Sequence, residues 1–294
     1  MTNDRTQPGS SPVPQEQLTS RFVTSLGRGI LVSEFGDGIL SNPEALVFDP
    51  ADLNGRVAFI TGASSGLGRA TALLFAESGS RVVIAGRDAD RANATKEEIE
   101  SKGGEAFVVI GDMRDPEVAK RTVAEATERF GRIDIGVMDA GIIDDASPLD
   151  MTPQQWYNVA HGNGDMTFFP AQAIAQQMIT QDKAVAQSLV FISSISMMGN
   201  SGQPNYSYAK AGGEAVAKAF ARSKDLKDVS VGILRPGLID TEMIHRMGEP
   251  EQRAMNTMAR AMMPLKRMLT PDEGARGVAF LATRKESGHI LTLT

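Results

Sequence analysis

Tyr206 and Lys210 are a pair of residues whose types and spacing could do acid–base chemistry. They lie in SGQPNYSYAKAGG, residues 201–213, and the strong helix formers that follow predict a loop running into a helix. Residues four apart share a helix face, so Tyr206 and Lys210 are predicted neighbours, whereas Tyr208 points away. A phenol has an ordinary pKa of about 10, and a nearby ammonium favours the phenolate. The pair therefore predicts a proton available for acid–base work; the competing interpretation is a loop tyrosine packed beside a solvated lysine.

A glycine-rich turn, TGASSGLG, is the second candidate for chemistry. It directly follows the apolar run VAFI (57–60) and precedes the helix-forming stretch RATALLFAESG. Gly62 permits a tight turn, Gly66 lets the backbone approach a pyrophosphate, and Gly68 lets helix and strand pack closely. Free N–H groups at the helix start favour an anion. This GxxxGxG spacing between a strand and a helix predicts dinucleotide binding, and the competing interpretation is an ordinary turn.

The end of the second strand indicates which dinucleotide binds. An acidic residue there would bond the ribose hydroxyls and repel a 2′-phosphate, but this chain has Gly86-Arg87. A guanidinium can hold a phosphate with a fork of two hydrogen bonds. The residue type therefore predicts NADP(H) in preference to NAD(H). Asp88 and Asp90 weaken the positive field, and the competing interpretation is a solvated Arg87.

From about residue 55, predicted strands alternate with predicted helices, and these elements must position the residues described above. The strands are continuously apolar, which is typical of a parallel sheet buried on both faces by helices. The sequence therefore predicts a single Rossmann-type, doubly wound α/β domain at 51–294, with helices on both faces of a mainly parallel seven-stranded sheet. The predicted strands are 57–60, 81–86, 106–111, 134–141, 189–193, 229–234 and 289–294.

Composition excludes several classes of partner and site. The net charge of −6 gives no basic footprint, so no nucleic-acid partner is expected. The absence of cysteine excludes disulfides and thiolate metal sites, and the three histidines are too scattered for an HExxH-like site, so no metal is expected. No apolar run is long enough to span a bilayer, and no signal-peptide pattern opens the chain. These features predict a cytoplasmic protein without a membrane partner.

An N-terminal extension, residues 1–50, precedes the predicted domain. Residues 1–17 are polar and rich in Pro, Gly and Ser, which predicts disorder. Leu18, Phe22 and Leu26 recur at helical spacing, but several glycines interrupt the pattern. We expect a loosely ordered arm that docks on the body or on a partner subunit.

Together, TGASSGLG, NYSYAK and RPGLIDTEM resemble the motifs of the short-chain dehydrogenase/reductase family. The resemblance covers about residues 53–294, and MGNSGQPNYSYAKAG resembles in particular the 3-oxoacyl-(acyl-carrier-protein) reductases. It implies hydride transfer between a nicotinamide and a carbonyl or secondary alcohol carbon. It also implies that Tyr206 is the acid–base and that Lys210 tunes its pKa and bonds the nicotinamide ribose.

Two further catalytic residues follow from the resemblance. The serine that polarises the substrate falls in ISSIS, where the strand ending favours Ser194 and ungapped counting from the tyrosine favours Ser193. The asparagine that holds a water near the lysine matches Asn163, with Asn158 as the competitor. The resemblance implies further cofactor contacts at Gly62, Ser64, Ser65, Gly66, Leu67, Gly68, Arg87, Asp112, Met113, Ala140, Gly141, Tyr206, Lys210, Pro236, Gly237, Ile239 and Thr241.

Three features depart from the family pattern. Asp139 replaces the usual second asparagine of Asn-Asn-Ala-Gly, and an ionised carboxylate cannot donate a hydrogen bond as an amide does. Gly164 could loosen its helix. The closing HILTLT lacks the usual Asp-Gly-Gly, which suggests a truncated or unusual end. These changes leave open a catalytically weakened family member that acts as a sensor or scaffold.

The substrate is expected to meet a lid at about 242–268. Seven methionines lie there, and Met-rich surfaces adapt to irregular apolar ligands, although core or subunit packing is the competing interpretation. We expect an NADPH-dependent ketoreductase for an apolar or acyl-bearing ketone, with an NAD-dependent alcohol dehydrogenase as the alternative. The resemblance also implies a homodimer or homotetramer.

Overall fold

The computed structural model describes residues 37–40, 46–245 and 248–294, which contain one parallel eight-stranded sheet. Seven of its strands are those predicted from the sequence, and this confirms the doubly wound α/β fold. The strands are β1 (Asp37–Leu40), β2 (Val57–Thr61), β3 (Arg81–Gly86), β4 (Glu105–Ile110), β5 (Ile135–Met138), β6 (Gln187–Ile192), β7 (Val229–Pro236) and β8 (His289–Leu293).

Strand order creates a crevice at the middle of the sheet. The order is β1-β8-β7-β6-β5-β2-β3-β4, and every neighbouring pair is parallel. The chain runs outward from β2 to β4 and then returns to β5 on the other side of β2. Loops leaving β2 and β5 therefore diverge at their carboxyl ends, which is where open α/β sheets bind ligands.

Helices cover both faces of the sheet, as the continuously apolar strands predict. They are α1 (Gly66–Glu77), α2 (Ala89–Ser101), α3 (Pro116–Phe130), α4 (Pro153–Thr180), α5 (Pro204–Ala221), α6 (Glu242–His245), α7 (Glu249–Met262) and α8 (Pro271–Ala282). Successive residues of β2 point to opposite faces of the sheet. Ala58 and Ile60 pack in the core under α1, α2 and α8, whereas Val57 and Phe59 pack in the core under α3, α4 and α5.

Capping residues fix where the long helices begin. Thr152 and Gln155 form a capping box at the start of α4, and Asp115 accepts the N–H groups of the first turn of α3. The helix α4 continues through Gly164, where an added Cβ would meet open space. Neighbouring turns and the packing of α4 on α5 therefore hold this helix despite the glycine.

One part of the N-terminal extension joins the sheet. Asp37–Leu40 form β1 and pair in parallel with Ile290–Leu293 of β8, adding a strand at the sheet edge. The expectations for residues 1–36 and 41–45 lie outside the described residues.

Candidate active site

A cavity of about 470 Å³ opens at the carboxyl ends of the central strands. It contains most of the residues that the sequence predicts to react or to contact the nicotinamide end of a cofactor. These are Gly62, Ser65, Gly66, Leu67, Ala140, Gly141, Ser194, Tyr206, Lys210, Pro236, Gly237, Ile239 and Thr241. An adjoining cavity of about 530 Å³ is lined by the predicted residues of the adenosine end, namely Ser64, Arg87, Asp112 and Met113.

The glycine turn fits tightly between β2, α1 and the β5 loop. Gly62 has a φ of +73°, a conformation that side chains rarely tolerate, and a Cβ there would lie 3.0 Å from Ala140 Cα. A Cβ on Gly68 would lie 2.5 Å from the carbonyl oxygen of Gly62. The sequence requires glycine at both positions because backbone occupies the space of a side chain. Ser65, Gly66 and Leu67 at the start of α1 border the cavity, and a helix start favours an anion.

In this adjoining cavity, where the sequence predicts the adenosine end of a cofactor, positively and negatively charged side chains alternate. Arg87 is exposed, and its Nη1 lies 3.8 Å from Asp112 Oδ2. Asp112 is held by Arg114, whose Nε donates to both carboxylate oxygens at 3.0 Å. The hydrogen bond from Arg114 lowers the pKa of Asp112 below its ordinary value. Asp112 is therefore an oriented anion, and Arg87 faces the cavity with most of its side chain open to solvent.

Arg91 is a cavity residue that the sequence analysis missed. It lies on the first turn of α2, borders both cavities, and forms an ion pair with Glu242 at the start of α6. It thus links the adenosine end to the predicted lid. Arg87 precedes the N-cap residue Asp88 and lies outside the helix, whereas Arg91 lies within its first turn. A second basic residue at the helix start that follows the second strand was the available signal.

The predicted acid–base pair comes together at the start of α5. Lys210 Nζ lies 5.4 Å from the centroid of the Tyr206 ring and donates to the carbonyl oxygen of Ile192 at 2.7 Å. Lys210 is buried, whereas Tyr208 points away, is 60% exposed and packs its ring against Trp156. The helical spacing argument is therefore correct about which tyrosine faces the lysine.

The pKa of Tyr206 is raised in the structure, whereas the sequence predicts that the nearby lysine lowers it. Burial raises the pKa of Tyr206 above its ordinary value, and the charges of Asp139 and Asp145 raise it further, while a hydrogen bond with Ser194 lowers it. Burial also lowers the pKa of Lys210 to about 8, against the opposing charge of Asp139. Desolvation and the two carboxylates disfavour the phenolate, so Tyr206 carries its proton at neutral pH.

Of the two candidate serines, Ser194 is the one that contacts Tyr206. The Ser193 hydroxyl instead donates to Glu214 Oε1 at 2.7 Å in the protein interior. Glu214 also accepts from the Arg235 guanidinium at both carboxylate oxygens, so the Ser193 hydroxyl belongs to a buried structural network. A short 3-10 helix, Ile195–Met198, follows Ser194, which is its N-cap residue.

Asn163 is buried on α4 and holds the loop that follows β5. Its side chain accepts from the N–H of Ile142 at 2.8 Å and donates to the carbonyl oxygen of Ile142 at 2.8 Å. A Cβ on Gly141 would lie 3.2 Å from Asn163 Oδ1 and 3.9 Å from Lys210 Nζ. Asn163 and Lys210 therefore both border Gly141 of the β5 loop, whereas Asn158 lies more than a turn earlier on the helix.

Asp139 borders the same cavity beneath the glycine turn. Its carboxylate accepts from the N–H of Gly68, and its own N–H donates to Thr61 Oγ1 at 3.0 Å. Burial raises the pKa of Asp139 from its ordinary 3.8 to about 6, although Lys210 and the Gly68 hydrogen bond oppose the rise. Where the family pattern has an asparagine amide, this chain therefore has a carboxylic acid near Lys210, with a pKa of about 6.

Apolar side chains close the far wall of the cavity. Ile142 and Ile143 line it from the β5 loop, Leu238 and Ile239 from the loop after β7, and Met255 from α7. Met258 is 38% exposed, while Met263 is buried against Gly237. Met255, Met258 and Met263 of the predicted lid therefore divide between the cavity wall, the surface and the core.

Comparisons with known proteins agree with this geometry. The family model described as short chain dehydrogenase matches residues 56–252. A 3-oxoacyl-(acyl-carrier-protein) reductase of Thermotoga maritima is 33% identical over 80% of this chain and 93% of its own. One from Synechocystis is 34% identical over 81% and 93%.

A crystal structure of a short-chain type dehydrogenase/reductase from Mycobacterium marinum superposes with a TM-score of 0.75. It shares 28% identity and is matched over 83% of this chain and 96% of that one. The chain belongs to the short-chain dehydrogenase family. Within the described ranges, no helix has the length and apolar character needed to cross a membrane. The same residues contain no group of three or more His, Asp or Glu side chains placed to hold a metal ion.

Proposed function

We propose that this short-chain dehydrogenase is an NADPH-dependent ketoreductase, which transfers a hydride between nicotinamide and a carbonyl carbon. One observation carries the proposal: Tyr206 and Ser194 face one cavity, beside a buried Lys210 and next to a glycine turn at a helix start. Hydroxyl groups converging there would place hydrogen bonds where negative charge develops on a reduced carbonyl.

The residues fit a dinucleotide because the glycine turn leaves no room for side chains. A Cβ at Gly62 or Gly68 would meet neighbouring backbone, so glycine lets the turn pack closely against the β5 loop, while Gly62 and Gly66 border the cavity. The α1 N-terminus at this turn favours the charge of a pyrophosphate. Arg87 and Arg91 supply positive charge at the adenosine end, which supports NADP(H) over NAD(H). When bound, the nicotinamide supplies the hydride.

Side chains of the protein would supply and replace the proton that carbonyl reduction consumes. Tyr206 is protonated at neutral pH and would deliver its proton to the developing alkoxide, while Ser194 orients the carbonyl oxygen. Lys210, whose lowered pKa of about 8 lies near neutrality, would restore the tyrosine proton. Asn163 positions the β5 loop beside the lysine.

The substrate is proposed to be an apolar or acyl-bearing ketone. The isoleucines, Leu238 and Met255 give the cavity an apolar wall, and the two reductases compared above are named for 3-oxoacyl substrates. We further propose a homodimer or homotetramer, because α4 exposes Tyr157, Phe168 and Ile179 to solvent. Light scattering of the purified chain tests that assembly.

The test is a nicotinamide-consumption screen over a ketone panel that includes acyl thioesters, diketones and bulky cyclic ketones. We expect turnover with NADPH above that with NADH, and Tyr206→Phe should lower the rate about 10²- to 10⁴-fold while cofactor binding persists. Tyr208→Phe is the matched control and should keep the wild-type rate. A Tyr206→Phe variant with the wild-type rate would refute the assignment, and faster turnover with NADH would favour the alcohol dehydrogenase alternative.

A further inference from the structure

Asp145 places a carboxylate at the mouth of the cavity, close enough for its charge to act on Tyr206. Its two oxygens accept from Gln203 Nε2 at 3.0 and 2.9 Å. Gln203 is itself oriented, because its Oε1 accepts from Ser196 Oγ at 3.2 Å and from Asn200 Nδ2 at 3.0 Å. This amide can therefore offer only its nitrogen to the carboxylate.

A backbone hydrogen bond fixes the loop that carries Asp145. The N–H of Ala146 donates to the carbonyl oxygen of Gly202 at 3.0 Å, which joins the β5 loop to the segment before α5. The carboxylate and the amide thus come from two connected loops that both border the cavity. Asp145 is held in place rather than extended freely into solvent.

The other carboxylates of the described cavity have charged partners. Glu242 pairs with Arg91, and Asp139 faces Lys210. Asp145 is hydrogen-bonded to a neutral amide, so its negative charge acts on whatever occupies the space near Tyr206. Partial desolvation raises the pKa of Asp145 and the charge of Asp144 adds to the rise, while the hydrogen bond from Gln203 opposes it.

We propose that Asp145 is a specificity-determining residue that favours ketones carrying a hydrogen-bond donor or a positive charge near the cavity mouth and disfavours those carrying a carboxylate there. The inference rests on the proposed ketoreductase function. A cationic substituent on the ketone would be attracted to the Asp145 carboxylate, a neutral hydroxyl would donate a hydrogen bond to it, and an anionic substituent would be repelled by it. Because the site is open to solvent, screening limits the discrimination to roughly tenfold between neighbouring members of this charge series.

Three para-substituted acetophenones of similar size test the proposal with the full-length chain and NADPH. They carry aminomethyl, hydroxymethyl and carboxylate groups. In the wild type we expect kcat/KM to fall in that order, by about tenfold at each step. Asp145→Asn should bring the three within about threefold of one another, whereas Asp145→Glu should preserve the order. Asp150→Asn removes an exposed carboxylate from the same loop and should also leave the order unchanged.

An unchanged order in Asp145→Asn, or a wild type that prefers the carboxylate, would overturn the proposal. Dissociation constants for the same three ketones, measured by calorimetry, separate this outcome from failure of the proposed function. If neither NADPH nor NADH supports turnover, the ketoreductase assignment fails. The order of affinity for the three ketones, and the loss of that order in Asp145→Asn, can still be measured from binding. Circular dichroism of each variant establishes that it is folded.

Discussion

Replacing Asp139 by asparagine should stabilise the protein in a pH-dependent way. The pKa of Asp139 is raised from 3.8 to about 6 in the folded protein, so the folded state holds this proton more tightly than the unfolded chain does. Ionisation of Asp139 therefore costs stability as pH rises from about 4 through 6, and the cost is constant above that range. At about 1.4 kcal/mol per pKa unit, the cost is about 1–2 kcal/mol at pH 5 and at most about 3 kcal/mol at pH 7.

The amide side chain of the Asp139→Asn variant carries no ionisable proton, so this variant should regain the lost free energy of unfolding. Screening by water in the cavity reduces the absolute gain, but the gain must still grow from pH 5 to pH 7. Urea unfolding of both proteins at half-unit pH steps measures it. Asp225→Asn, which removes an exposed carboxylate on the 3-10 helix Lys224–Leu226, should show no comparable growth. A stability difference that is flat between pH 5 and pH 7 would refute the reasoning, since Asp139 could not then titrate in that window.

Two further substitutions test the cofactor end of the site. Arg87→Ala should raise KM for NADPH about tenfold and leave KM for NADH unchanged, because only NADPH carries a 2′-phosphate for the guanidinium; equal effects on both cofactors in steady-state assays would argue against that contact. Gly68→Ala should lower the free energy of unfolding by about 1–3 kcal/mol, because its Cβ would lie 2.5 Å from the carbonyl oxygen of Gly62. The matched control is Gly164→Ala, which meets open space within α4 and should raise stability by up to about 1 kcal/mol in thermal or urea unfolding.

Local spacing predicted the parts of the site that one element carries. The Tyr206–Lys210 pair depends on one helical turn, and the glycine turn depends on one strand–turn–helix unit, so both could be read from neighbouring residues. The strand ending favoured Ser194 over Ser193, and in the structure Ser194 is the serine that contacts Tyr206, although its catalytic role stays a prediction. The continuous apolar strands likewise predicted the parallel sheet, because burial on both faces leaves a pattern along the chain.

Contacts between distant segments were not predictable in the same way. Asp145 meets Gln203 across 58 positions, and Arg91 meets Glu242 across 151 positions. Neither member of either pair stands out, since single carboxylates, amides and arginines are common on any surface. The strand β1 was missed for a related reason: four residues of a glycine-rich extension show too short a pattern to predict pairing with β8.

The raised pKa of Tyr206 shows how contacts between distant segments alter the chemistry of a pair that local spacing can predict. Considered alone, a phenol beside an ammonium should lose its proton more easily. In the folded chain both groups are removed from water, which disfavours the phenolate and the ammonium alike, and the two nearby carboxylates oppose the phenolate only. Asp139 and Asp145 come from the β5 loop, so their effect on Tyr206 exists only after the sheet has formed. The outcome is a protonated tyrosine beside a lysine with a pKa of about 8, and the proposed proton donation to a carbonyl would start from this state.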